Sequence, residues 1–132
     1  MKGVDTNILV RFLVADDKAQ TRKVYELFKE VESKSGALFV PLVVVLELIW
    51  VLESAYKIPR EEIVESIEEM LLMPILRFEH RPAVQQFVHL APKCRCDLSD
   101  LLIGCSAREQ GCENVITFDK KASKSELFEL LQ

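Results

Sequence analysis

Five carboxylates stand where an α/β chain would gather them. Asp5 directly follows the short strand-like start Lys2–Val4, and Asp119 directly follows the apolar run Asn114–Phe118. In a parallel sheet both would lie at carboxyl ends of strands, where such folds bind their ligands. Asp97 and Asp100 lie three apart at the head of a helical pattern and so share a face. Glu47 interrupts Leu42–Trp50, whose other members belong in a core. An unpaired charge there costs free energy or shifts its pKa until it is neutral, so this carboxylate calls for a cation. Hard divalent ions bind oxygen donors and would offset the repulsion among converging acids. Two such ions, about 3.5–4 Å apart, can activate a water and stabilise the leaving oxygen of a phosphodiester. Lys93 and Arg95 flank Asp97, and Lys120, Lys121 and Lys124 follow Asp119, which suits a rim facing phosphates.

Each residue also has a plainer reading. Asp5 ahead of Thr6-Asn7 could cap a helix. Asp97-Leu98-Ser99-Asp100 has the form of a capping box, with Asp100 favoured by the helix dipole. Asp119-Lys120 could be a turn after a strand, and Glu47 could pair with Arg11. The lysines and arginines could be ordinary surface charges. Taken together the carboxylates resist these readings, because several of them converging without cations would repel one another.

The elements that must position these residues follow from periodicity and punctuation. Asn7–Val14 reads as a short helix. Asp16-Asp17 offers an N-cap to Lys18–Val31, where Val24, Leu27, Phe28 and Val31 recur at helical spacing, and Gly36 ends that segment. Leu38–Val40 is strand-like and stops at Pro41. Val43–Tyr56 is apolar almost all round, the pattern of a buried helix. Pro59 opens a further helix with Ile63, Ile67, Met70 and Leu71 inward and Glu61, Glu62, Glu65, Glu68 and Glu69 outward. After Pro74 come a strand at Ile75–Phe78, a helix at Arg81–Leu90, a helix at Leu98–Gln110 closed by Gly111, and a buried type of strand at Asn114–Phe118. Ser125–Leu131 is ambiguous between helix and strand. Strands alternating with helices predict an α/β domain with a parallel sheet.

The chain has 132 residues, 49% hydrophobic and 29% charged, which suits one globular domain over 1–132 that needs neither disulfide nor metal to hold its fold. A net charge of −4 argues against gripping nucleic acid by bulk positive charge. It leaves open nucleic-acid contact through ions held by carboxylates. No export signal is read at the start, and the longest apolar run, Ala37–Leu52, is too short to span a membrane, so a cytoplasmic location is expected. Of Cys94, Cys96, Cys105 and Cys112 only the first two are close, without the paired spacing of a zinc site. They read as incidental or structural thiols, with a disulfide or zinc as alternatives. His80 and His89 lack metal-ligand spacing and read as surface or helix-flank residues.

Asp5-Thr6-Asn7 with Ile8–Leu13 and Asp16-Asp17 resembles the opening of PIN-domain nucleases. Leu46–Ser54 is similar to their internal glutamate segment. Asp97-Leu98-Ser99-Asp100 with Leu101–Gly104 resembles their third acidic motif, Thr117–Lys121 their fourth, and Leu127–Leu131 their closing segment. The resemblance covers nearly the whole chain in order, nearest to the VapC group of toxin ribonucleases. It implies a parallel β-sheet flanked by helices in three α/β/α layers. It implies that Asp5, Glu47, Asp100 and Asp119 hold one or two Mg²⁺ or Mn²⁺ ions, with Asp97 a further contributor. Thr6, Asn7 and Thr117 would be orienting groups behind them, and Arg11, Lys93, Arg95, Lys120 and Lys121 would be RNA contacts. The implied reaction is endonucleolytic RNA hydrolysis by a homodimer neutralised by an antitoxin protein. Both Asp97 and Asp100 suit the third motif; Asp100 is favoured because it heads the apolar helix. Cys94-Arg95-Cys96 is not part of the family pattern.

Other classes remain in view. A catalytically silent module on the same scaffold would bind RNA or protein without metal-dependent cleavage. A phosphatase or receiver domain would want an acid two residues after Asp5, where Asn7 stands. Nothing in the chain tells an RNA nuclease from one that also cuts DNA.

Overall fold

Short β-type runs capped by proline or acid alternate with amphipathic segments, and the computed structural model, which describes residues 1–132, folds them accordingly. Residues fall into two compact units, Met1–Glu79 and His80–Gln132. The first unit contains strands β1 (Lys2–Gly3), β2 (Leu38–Val40) and β3 (Leu76–Phe78), and helices α1 (Thr6–Leu13), α2 (Lys18–Ser33), α3 (Leu42–Ser54) and α4 (Arg60–Leu71). Its strands pair in the order β1-β2-β3, all parallel, with Gly3 opposite Phe39 and Val40 opposite Phe78. Consecutive parallel strands need crossovers, and the helices supply them.

The first unit obeys its pattern in most places. Asp17 caps α2, its carboxylate accepting from the Gln20 N–H at 3.0 Å. Ile63, Ile67, Met70 and Leu71 of α4 are buried and the five glutamates exposed. Two expectations change. Helix α2 is ended by Ser35, not by Gly36. Ser35 takes the left-handed conformation (φ 54), and the N–H groups of Ser35 and Gly36 close back on Glu32 and Val31. That is a Schellman ending with serine where glycine is favoured. Ser35→Gly is expected to stabilise the chain by about 0.5 kcal/mol, seen as a small rise in melting temperature; a fall would contradict it.

The second change concerns α3, which is not buried all round. Val44, Val45, Leu48, Ile49 and Leu52 are in the core, while Val43 and Trp50 are 72% and 62% exposed. Glu47 lies between them on that outer face, also exposed. The expectation of a charge enclosed in the core is overturned. Positions 43, 47, 50 and 54 repeat at helical spacing and form one solvent stripe, hidden in the sequence because Val43 and Trp50 are apolar.

The second unit consists of α5 (Arg81–Leu90), a 3₁₀ turn (Ala91–Lys93), α6 (Leu98–Glu109), β4 (Val115–Thr117), another 3₁₀ turn (Ala122–Lys124) and β5 (Phe128–Leu130). Helix α5 packs on α6, burying Ala83, Val84, Phe87, Leu98, Leu101 and Leu102. Strands β4 and β5 form a separate parallel pair with Val115 opposite Phe128, so the ambiguous tail is a strand. The buried strand expected at 114–118 is instead largely open: Ile116 and Phe118 are 61% and 79% exposed. Gly111, at φ 93, ends α6 as expected.

Candidate active site

In the first unit the acids are placed by β1, α1 and α3. Asp5 leaves β1 exposed and stands at the N-cap of α1, its Oδ1 accepting weakly from the Ile8 N–H at 3.4 Å. Its other oxygen is not engaged by that cap. Thr6, buried at 6% exposure, donates its hydroxyl proton to Oε1 of Glu47. A fixed hydroxyl thus ties the residue after Asp5 to the carboxylate that lies between Val43 and Trp50 on the outer face of α3. Asn7 is exposed, and it is the Ile8 N–H that holds Asp5. Glu47 does not pair with Arg11. The Arg11 guanidinium is taken by Asp16 at 2.5 Å, Gln20 at 2.7 Å and the Tyr56 hydroxyl at 3.2 Å, so it stitches α1 to α2 and α3's end.

One acid in this unit was missed. Glu79 directly follows β3 just as Asp5 follows β1, and the same rule would have found it. Its Oε1 accepts the Leu42 N–H at 2.8 Å, supplying the N-terminal cap of α3 that Pro41 cannot give.

In the second unit, Asp97, Asp100 and Asp119 interact. Asp97 occupies the N-cap position of α6 but makes no side-chain cap; its carboxylate reaches Lys121 Nζ at 3.2 Å. The capping-box reading therefore fails at Asp97. Asp100, in the first turn of α6, is half-buried. Desolvation, then the negative charges of Asp97 and Asp119, push its carboxyl above the usual carboxylate range, and Lys121 opposes them only in part. Asp119 forms the expected turn: Oδ1 accepts from the N–H groups of Lys121 at 2.8 Å and Ala122 at 3.3 Å. The Thr117 hydroxyl accepts the Asp119 N–H at 3.0 Å, fixing the end of β4. The turn and a ligand role are compatible, because it engages one oxygen and leaves the other.

Asp100 alone is raised in this way, by burial and by two neighbouring carboxylates, an arrangement whose charge a cation would offset. The donors are oxygens only, which fits Mg²⁺ or Mn²⁺ and not a soft metal. No three acidic, histidine or cysteine side chains are drawn into a finished cage. Of the cationic candidates, Lys93 contacts His89 at 3.2 Å, Lys121 holds Asp97, and Arg95 and Lys120 are exposed. His80 flanks α5 and faces Glu109 at 3.4 Å.

The family model of the PIN domain matches residues 3–126, a span that includes all five carboxylates. The chain belongs to the PIN-domain family. It is also 31% identical over 124 residues to a protein of Aquifex aeolicus (strain VF5) described as a VapC ribonuclease, covering 94% of this chain and 91% of that one. In this PIN domain the Thr6 hydroxyl holds a carboxylate and nothing else. Thr6→Val should keep the fold while weakening divalent-ion affinity about 10–100-fold. Unchanged affinity in a calorimetric titration would make the Thr6–Glu47 bond merely structural.

Proposed function

We propose that this PIN domain is a metal-dependent endoribonuclease, the toxin of a toxin–antitoxin pair. The observation that carries the reading is the state of Asp100, a half-buried carboxyl raised by two neighbouring carboxylates. The VapC ribonuclease similar over 94% of this chain supports the substrate class. Asp100 and Asp119 are the proposed ligands in the second unit, with Asp97 a further contributor, and Asp5 and Glu47 are the ligands proposed in the first. One or two Mg²⁺ or Mn²⁺ ions, when bound, supply a Lewis acid that lowers the pKa of water and offsets charge on the phosphodiester. The chain's own residues do the rest. Thr6 holds Glu47, the Thr117 hydroxyl fixes the Asp119 backbone, and Lys121 balances Asp97. Arg95, Lys93, Lys120 and Lys121 are the proposed phosphate contacts; Arg11, occupied by Asp16, is withdrawn from that set.

The proposed partners are RNA, a second copy of the chain and an antitoxin protein. A protein seated on exposed Val43 and Trp50 would cover Glu47 between them, which is inhibition by occlusion. No helix is long and apolar enough to cross a membrane; cytoplasmic location is part of the proposal.

The deciding experiment is a Mn²⁺ titration of the wild type beside Asp119→Asn, followed by incubation with a pool of single-stranded RNAs in Mg²⁺, Mn²⁺ or EDTA. Asparagine still accepts the Lys121 and Ala122 N–H groups, so the variant keeps its turn. Binding in the wild type alone, with internal cleavage abolished by EDTA, is expected. No binding in either protein would sink the nuclease reading and favour a silent binding module.

A further inference from the structure

The nuclease reading leaves unused the cysteines at the head of α6. Cys94 and Cys96 are joined as a disulfide, their Cα atoms 5.4 Å apart, within the span such a bridge needs. This overturns the reading of both as incidental thiols. A bridge closing so short a loop removes little freedom from the unfolded chain, so stabilising the fold explains it poorly. Its surroundings suit exchange. Cys94 is half-buried, Cys96 is buried, and both line a groove of about 630 Å³ whose other walls include Lys93, Arg95, Lys121 and Lys124. The groove's one carboxylate, Glu126, faces Arg108 at 3.7 Å. A partly exposed sulfur among cations is where thiolates form and react. The Cys96 N–H donates to Cys94 Sγ at 3.1 Å, within the bridge's own loop. The other cysteines lie elsewhere: Cys105 is buried in α6, and Cys112 is exposed outside this groove.

We infer that Cys94–Cys96 is a reversible thiol–disulfide exchange site for small anionic disulfides such as oxidised glutathione, and that its state sets the approach to Asp97. The Cys94 thiolate attacks the small disulfide, forming a mixed disulfide and releasing one thiolate. The Cys96 thiolate then attacks Cys94 Sγ, closing the bridge and releasing the second. Two protein thiols are oxidised, one small disulfide is reduced to two thiols, and the two protons pass to the departing thiolates. Asp97 follows Cys96 directly, lacks a cap bond of its own and is held only by exposed Lys121. Closing or opening the bridge therefore changes the backbone that presents this carboxylate. The consequence for metal rests on the nuclease reading; the exchange does not.

The full chain is equilibrated with graded ratios of oxidised to reduced glutathione, quenched, alkylated and weighed. Two thiols are expected to interconvert within the range of a glutathione buffer, and Cys96→Ser should trap a glutathione adduct on Cys94. A bridge that never forms, one that survives excess dithiothreitol, or an adduct confined to Cys112 would overturn the exchange site. Mn²⁺ titration of the oxidised and reduced forms should give affinities differing several-fold; equal affinities would overturn the link to Asp97. No Mn²⁺ binding in either form would count against the nuclease reading, while the thiol measurement still decides the exchange.

Discussion

Asp100→Asn is expected to lower metal-dependent RNA cleavage by at least about a hundredfold while making the metal-free protein slightly more stable near neutral pH. The two effects have one cause. Desolvation, Asp97 and Asp119 together hold the Asp100 carboxyl above its ordinary range, so folding disfavours its ionised form. For an acid raised in this way the penalty is absent below the unfolded pKa. It sets in as pH rises past the unfolded pKa and is complete once pH is above the folded one. Wild-type stability in EDTA should therefore improve as pH falls from neutral toward the ordinary carboxylate range, and the Asp100→Asn variant should lack that part of the gain. Adding Mn²⁺ reverses the order, because a ligand that binds only the folded state stabilises it by mass action. Melting curves in EDTA and in Mn²⁺, for both proteins, read all of this. A variant less stable than wild type in EDTA, and equally shifted by Mn²⁺, would make Asp100 a helix-dipole residue and no ligand.

The sequence carried the acids well because each sits beside punctuation that physics makes local. Asp5 and Asp119 follow β-type runs, Asp17 precedes a helical stripe, and Gly111 closes α6 in the one conformation that other residues adopt at a cost. What was illegible depended on neighbours remote in sequence. Glu47 was read as enclosed because Val43 and Trp50 disguise its stripe; only the packing of α3 shows which third of that helix faces out. Asp97 fits a capping box by spacing, yet Lys121, twenty-four positions away, draws its carboxylate off. Glu79 caps α3 across thirty-seven positions, a contact that no local pattern encodes. Ser35 shows the converse: Gly36 was the obvious stop, but the left-handed residue is the one before it.

Gly104→Ala should cost about 1–2 kcal/mol, overpacking of about 1–3 kcal/mol being partly offset by alanine's better helix propensity. A Cβ at this position in α6 would lie 2.9 Å from Leu127 Cβ, 3.0 Å from Leu127 Cδ1 and 3.2 Å from Phe128 Cε2. The side-chain tip can rotate away, but Leu127 Cβ is fixed to the backbone, so the chain entering β5 must retreat. That backbone also accepts the Val115 N–H at 2.8 Å, which holds β4 beside β5. Displacement thus passes to Thr117 and Asp119 at the end of β4, and metal affinity should fall with stability. Gly104→Val, with two more carbons at the same contact, should lose more than the alanine variant. Gly111→Ala is the control: nothing lies within 4 Å of a Cβ there, so its cost comes from φ 93 alone and should leave metal affinity unchanged. Leu127→Ala removes the colliding Cδ1 and the tip of the side chain. In a double-mutant cycle the loss from Gly104→Ala should be smaller in that background, a coupling of about 0.5 kcal/mol or more. Strict additivity would place the strain elsewhere in α6 and separate this glycine from the acidic end of β4.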